Sequence, residues 1–572
     1  MYKYFIFILC FVYWSVQING QTILTPFERS NGKQTATYDE IIDFYKQLSN
    51  KFSSVQIMQD APLSADAQYP LSTVIFNGKH LGNDTVVTIL INNGIHAGEP
   101  DGIDACMMLM RDAATGKVKI PDNIVLVVIP VFNIGGVLNR TNYSRANQAG
   151  PESYGFRGNW QNLDLNRDFI KLDAPETHSL ESIFHIFKTD IFIDNHVSDG
   201  ADYQHIMTLL ATQHDKLGGE TGAFMNDVFV PLVYKDMKKR GYDLVPYVND
   251  FRTTPDNGWT EFYDPPRFSS GYAALSHIMA FVPETHMLKP FDQRVKATYE
   301  LMCSFINIAS VHAKEIKSAR KNDIKTTLGQ LEFPLSWKVD TSKFAMINFK
   351  GYEAGYKASN VSGMLRLYYD HKKPFTKQVP FYNYFVPDKM VTAPQYYVIQ
   401  QGWKEVISRL SVNHVKFVQM QNDTTITLSV YRIEKYETQN HPYEKHYQHY
   451  NVSVTKHTET IHLIKGDYLI PTQQEAKRYL VETLEPTGPD GFFAWNFFDA
   501  ILQEKEYYSD YVFEDVAAQM LEKNADLRKL LDDQKLKDTV FAKDGRAQLD
   551  FVYRHSPYYE PEHMRYPIFR ID

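Results

Sequence analysis

Val86-Val87-Thr88-Ile89-Leu90-Ile91-Asn92-Asn93-Gly94-Ile95-His96-Ala97-Gly98-Glu99-Pro100 is the stretch on which the fold turns. Its first six residues are a short, almost wholly apolar run, rich in β-branched side chains, which is the pattern of a strand buried on both faces. Gly94 and Gly98 let the backbone bend, and Ile103–Ala114 then carries apolar residues at helical spacing. Strand, polar turn and helix in that order form the unit from which parallel sheets are wound. Open α/β sheets place ligands beyond the carboxyl ends of their strands, and His96 and Glu99 fall there. His-x-x-Glu on such a loop can turn an imidazole and a carboxylate towards one point.

Similar units lie on either side. Apolar runs recur at Ile124–Val131, Ile191–Ile193 and Ile278–Val282, separated by helical patterns such as Pro175–Phe187. Tyr38, Ile41, Ile42, Tyr45 and Leu48 share one helical face upstream. Val295, Tyr299, Met302, Phe305 and Ala309 share another downstream. The alternation predicts an α/β domain over 21–318, with a mixed, largely parallel sheet flanked by helices. The polar stretch Lys317–Lys325 reads as a linker. Beyond it, Phe344–Phe349, Met364–Tyr369, Tyr396–Ile399 and Ile426–Val430 are strand candidates, and Gln473–Leu484 and Phe513–Leu531 turn helical. Residues 325–572 are therefore expected to be a β-rich accessory region with helices at its C-terminal end.

A chain of 572 residues is too long for one compact core. The net charge of -8 and the lack of a long basic block argue against nucleic acid as a partner. Lys3 followed by the apolar Phe5–Val16 and by Gln17-Ile18-Asn19-Gly20 reads as an export signal over residues 1–20. No later segment approaches the roughly 20 apolar residues of a membrane span. The expected protein is secreted or periplasmic, with no stable membrane insertion after signal removal. Outside the signal there are two cysteines, Cys106 and Cys303, so neither a disulfide framework nor a CxxC zinc ribbon is available. Any bound metal must be held by histidines and carboxylates.

Three further motifs end candidate strands or precede helices. Asp194-Asn195-His196 follows Ile191–Ile193, and its histidine could join His96 and Glu99. Two histidines and one glutamate leave one metal position open, as catalytic zinc sites do. Asn162-Leu163-Asp164-Leu165-Asn166-Arg167-Asp168-Phe169 offers Asp164 as an acceptor behind a metal-bound histidine. It also offers Asn166 and Arg167 as a grip for a substrate carboxylate. Arg145 supplies a second cation. Pro283-Glu284-Thr285-His286 ends the strand Ile278–Val282 and places Glu284 as a candidate general base. His286 and Lys289 could tune it or take ordinary loop-packing roles. The histidines of 441–462 read as strand or turn positions rather than a second metal site. HExxH, GxSxG and P-loop motifs are absent.

Together these motifs resemble the zinc carboxypeptidase family, the carboxypeptidase A-like metallopeptidases, over roughly residues 35–315 and in family order. Tyr154-Gly155-Phe156-Arg157-Gly158 and Glu284-Thr285-His286-Met287-Leu288-Lys289-Pro290 look like an exported bacterial subgroup with a long C-terminal extension. The resemblance implies one Zn2+ per chain on His96, Glu99 and His196, with Glu284 as general base. It implies Arg145 as the arginine that polarises the scissile carbonyl and steadies the oxyanion, and Asp164 as the carboxylate behind a zinc histidine. Asn166 and Arg167 would bind the terminal carboxylate of a peptide substrate. The chain departs from the family at Asn133-Ile134-Gly135-Gly136 and at Arg267-Phe268-Ser269-Ser270-Gly271. The family's mobile tyrosine could be Tyr263 or Tyr272. A zinc amidase or deacylase on small amides, and a non-catalytic peptide- or glycan-binding relative, are the competing expectations.

Overall fold

In the computed structural model of the protein, residues 23–59, 68–249 and 253–572 are described, so the expected export signal lies outside the described residues. The first half contributes β1 (Val55–Met58), β2 (Thr73–Phe76), β3 (Val87–Asn93), β4 (Ile124–Ile129), β5 (Ile191–Ser198), β6 (Met207–Ala211), β7 (Val245–Pro246), β8 (Trp259–Thr260) and β9 (Met279–His286). All but β8 join one sheet in the order β1-β2-β4-β3-β5-β9-β6-β7. At its centre β4, β3, β5 and β9 run parallel. β2 is antiparallel to β4, and β6 to β9. The sheet is mixed and flanked by helices, as the alternation of runs predicts. Every residue of β3, β4 and β5 is buried, which is why these strands read as unbroken apolar runs rather than as alternating ones.

The chain leaves β3 through the helix Asp101–Ala114 to reach β4 on one side. It returns through the helix Pro175–Phe187 to β5 on the other. A reversal of winding of this kind opens a crevice outside the carboxyl ends of the two strands it separates. Helix Phe291–Val311 packs against Asp101–Ala114 on the same side of the sheet.

Lys317–Lys325 is not a linker. It lies inside the helix Ala313–Gly329, whose Ile316, Ala319, Asp323 and Thr327 are buried at helical spacing. Asp323 accepts the backbone N–H groups of Glu220 (2.9 Å) and Thr221 (2.7 Å). Lys317 Nζ stands 3.1 Å from Asp190 Oδ2. The polar composition reflects charges paired with residues of the first half of the chain, not a solvated connector.

The second half follows with β10 (Glu332–Val339), β11 (Ala345–Ala358), β12 (Leu365–Tyr382), β13 (Phe385–Thr392), β14 (Tyr396–Ile399), β15 (Val418–Gln419), β16 (Thr424–Thr438), β17 (His449–Leu463), β18 (Tyr468–Pro471) and β19 (Ile568–Ile571). β11 and β12 form a long hairpin joined through β12 to β8. β16 and β17 form a second hairpin in a six-stranded sheet. The expected helix Phe513–Leu531 is two helices, Asp510–Lys523 and Ala525–Lys537. They are separated by an extended Asn524 whose side chain accepts the Leu527 N–H. Cys106 and Cys303 are buried and unpaired. No helix among the described residues is long and apolar enough to cross a membrane.

Candidate metal centre and substrate cleft

The loop after β3 is held open by its neighbours. Gly94 has φ 66°, a conformation that favours glycine. The N–H groups of Phe132 and Asn133 donate to Asn93 O (2.8 Å) and Gly94 O (3.1 Å), fastening the loop to the end of β4. Glu99 N donates to His96 O at 2.9 Å, which turns both side chains the same way. A Cβ on Gly98 would lie 2.7 Å from Arg145 Cδ, so only glycine lets that arginine lie against the loop. Asn133, at the divergent Asn-Ile-Gly-Gly, donates to Ile95 O (3.3 Å) and Arg157 O (2.9 Å) and accepts from Gly136 N (2.7 Å). It ties three loops together. His196 lies within β5, directly in register with Glu284 on β9, so both side chains rise from one face of the sheet.

His96 Nδ1 is 3.1 Å from Glu99 Oε1, and His196 Nδ1 is 3.1 Å from Glu99 Oε2. Each ring turns its other nitrogen to a carboxylate. His96 Nε2 is 3.0 Å from Asp164 Oδ1, and His196 Nε2 is 3.2 Å from Asp194 Oδ2. A carboxylate beside Nε2 favours the tautomer that would present the Nδ1 lone pair to a bound ion. Among the described residues, these three form the one group whose ligand atoms could hold a metal, all lying within 4.8 Å of one another. A tetrahedral ion with bonds of about 2.0–2.1 Å separates its ligands by roughly 3.3 Å. The two N···O spacings, one to each Glu99 oxygen, are close to that edge, and with all ligand atoms within 4.8 Å of one another the donor set suits zinc.

Charge is concentrated here. Burial alone would raise the Glu99 carboxyl, but His96, Arg145 and hydrogen bonds from both imidazoles hold it well below the usual range. Burial also opposes ionisation of Asp164, which His96, Arg157 and Arg167 overcome, keeping it low. His196 loses solvation, yet Asp194 and Glu99 raise it well above an ordinary histidine. Glu284 is pushed up to about 8 by burial, against the pull of His196 and with the added repulsion of Glu99.

His96, Glu99, Arg145, Asn166, Arg167, His196 and Glu284 all line one cleft of about 650 Å³, and Asp164 stands directly behind His96. Asn166 N donates to Asp164 Oδ1 (2.9 Å), and Asn166 Oδ1 accepts from Ser269 N (2.9 Å). Arg167 bonds Asn166 O at 2.8 Å and lies 4.3 Å over the Phe268 ring. Arg145 bonds Gln148 Oε1 (2.7 Å) and Glu99 Oε1 (3.1 Å). Past Glu284 on the same sheet face, Val282 and Leu210 are paired across β9 and β6. Phe262 and Phe268 meet edge to face at 5.2 Å beside them, giving that end of the cleft an apolar lining.

Neither expected tyrosine reaches the cleft. Tyr272 is buried in the core with its hydroxyl on Asn413, and Tyr263 packs on Phe385 near Lys216. The tyrosine that lines the cleft is Tyr247, one residue beyond β7, whose two-residue length leaves no periodic signal. His286 and Lys289 also turn away from Glu284, to Ala201 O (2.9 Å) and towards Asp202 (3.6 Å). Arg157, to which no sequence motif gives a role, bonds Asp164 Oδ2 through Nε (3.0 Å) and approaches Glu99 Oε1 at 3.5 Å. Its side chain is 44% exposed against 12% for Arg145, so it is the more exposed of two arginines flanking Glu99. Its place seven residues before Asp164 was the available signal. Asp194, two residues before His196 in the same motif, is the carboxylate beside that histidine.

No protein-family model matches the chain, and no curated protein matches it. Solved structures similar to it include a metallo-carboxypeptidase from Burkholderia cenocepacia. That structure is 12% identical, with 48% of this chain and 70% of that one covered at a TM-score of 0.38. Carboxypeptidase A from Helicoverpa armigera is 13% identical over 50% of this chain and 75% of that one, with a TM-score of 0.38. Bovine thrombin-activatable fibrinolysis inhibitor, solved with tick carboxypeptidase inhibitor, is 15% identical over 51% and 99%, with a TM-score of 0.33. At these identities the likeness concerns fold alone.

Proposed function

We propose that the protein is a zinc metallocarboxypeptidase, removing single residues from the C-termini of peptides. The observation that carries this is the convergence of His96 Nδ1, His196 Nδ1 and both Glu99 oxygens, with a carboxylate behind each histidine. His96, Glu99 and His196 would hold one Zn2+, which when bound would supply Lewis-acid polarisation of the carbonyl and acidify a water.

The chain's own residues do the rest. Arg167 and Asn166 bind the substrate's terminal carboxylate, the guanidinium braced by Phe268. The side chain of the terminal residue enters the end of the cleft formed by Leu210, Val282, Phe262 and Phe268, which favours large apolar residues. Glu284, facing His196 across the strands but outside the metal set, has its carboxylate form favoured when the cation is bound, and so accepts the proton of the attacking water and delivers it to the leaving amine. Arg145 and Arg157, both beside Glu99, stabilise the negative charge that develops on the carbonyl oxygen.

Elemental analysis tests the foundation. Protein purified without chelator and supplied with zinc should hold one ion per chain, and His96→Ala or His196→Ala should remove it. A wild type that remains metal-free and inactive would end this reading.

A further inference from the structure

The catalytic loop is held from the far end of the chain. Asp164 spends its carboxylate on His96, on Arg157 and on the N–H of Asn166. Its own backbone N–H donates to Glu444 Oε2 at 2.8 Å, a residue 280 positions later. Glu444 sits at the tip of the β16–β17 hairpin, in a left-handed conformation with φ 47°. The tip is closed by reciprocal backbone bonds between Tyr443 and His446 (2.7 and 3.0 Å). Two further contacts press the tip onto the same loops. His446 Nε2 is 2.7 Å from Asp173 Oδ2, beyond the Asn166-Arg167 turn. The Arg267 guanidinium lies 5.7 Å over Tyr443 and 5.1 Å over Trp495, and Arg267 is the residue before Phe268.

We infer that the hairpin tip of the accessory region is a positioning element of the metal centre, with Glu444 acting through Asp164 on His96. The inference rests on the metal reading above. Without the Glu444 acceptor, a half-buried N–H at the hinge of the Asp164 turn has no partner. Asp164 then loses the fixed position from which it orients the His96 ring. Direct partners of metal-bound histidines are worth about 10–100-fold in metal affinity. A residue one step further out should be worth roughly 3–10-fold.

The experiment measures zinc affinity by competition with a chromophoric chelator, and the exchange rate of the Asp164 amide, on the full chain. Glu444→Ala should weaken zinc by that factor and speed exchange at Asp164, with an unchanged Tm. Glu444→Gln keeps a carbonyl acceptor and should behave as wild type in both. Glu444→Ala indistinguishable from wild type overturns the inference, as does equal loss in both variants, which would make the charge and not the hydrogen bond responsible. A wild type that binds no zinc sinks the metal reading instead, so the two failures are distinguishable.

Discussion

Histidines occur in two parts of this molecule, many in the segment 441–462 and few at the strand ends, and only the few converge. In the segment 441–462, each histidine with a bonding partner has its own. His446 goes to Asp173 (2.7 Å), His449 to Thr438 (2.8 Å) and Asp499 (3.0 Å), His457 to Thr455 (2.8 Å), and His462 to Thr425 (3.2 Å). At the strand ends His286 turns away to Ala201 O, yet His96 and His196 direct the same nitrogen at the same carboxylate. Strand geometry explains the contrast. Along β17, side chains alternate between faces and are spread by about 3.3 Å per residue, whereas β3, β5 and β9 bring distant residues to one switch point. Convergence, not abundance, marks a metal site.

The largest effect expected from this contrast is on metal content itself. His96→Ala and His196→Ala should each lose the ion, while His446→Ala and His449→Ala should keep one zinc per chain by elemental analysis. Loss of stoichiometry in the second pair would mean that the 441–462 segment holds a metal after all. Next, Glu284→Gln should retain zinc and lower the catalytic rate by about 10²–10⁴-fold. Near-normal turnover would remove Glu284 as the base, and loss of zinc would make it a ligand. Smaller again is the effect of the carboxylate behind His196. Asp194 accepts Ser269 Oγ (2.6 Å) and Asn92 Nδ2 (3.0 Å) as well as facing His196, so it is rigidly held. Asp194→Asn should weaken zinc by roughly 10–100-fold in a chelator competition. Unchanged affinity would show that the tautomer of His196 is set elsewhere.

The sequence made the centre of this site readable because burial and chemistry coincide there. Strands covered on both faces leave continuous apolar runs, so β3, β4, β5 and β9 announce themselves, together with His96, Glu99, His196 and Glu284 at their ends. Edge strands leave no such trace. β7 has two residues, and with it Tyr247 went unseen. Arg157 and Asp194 gain their meaning from partners brought together by folding, and Glu444 from a contact across 280 residues, which no local pattern encodes. Lys317–Lys325 misled because charges that are paired in the fold look the same in the sequence as charges that are solvated.

The central claim, removal of C-terminal residues from a free carboxylate, is tested most directly by mass spectrometry of peptide products. The zinc-loaded protein is incubated with a mixed set of peptides as free acids and as C-terminal amides. The account predicts stepwise loss of single C-terminal residues, large apolar ones first, from the acids. The amides should be cut about 10–150-fold more slowly, the worth of a charge-assisted hydrogen bond, and Arg167→Ala should erase most of that difference. Equal turnover of acids and amides, or cleavage within the chain, would contradict it.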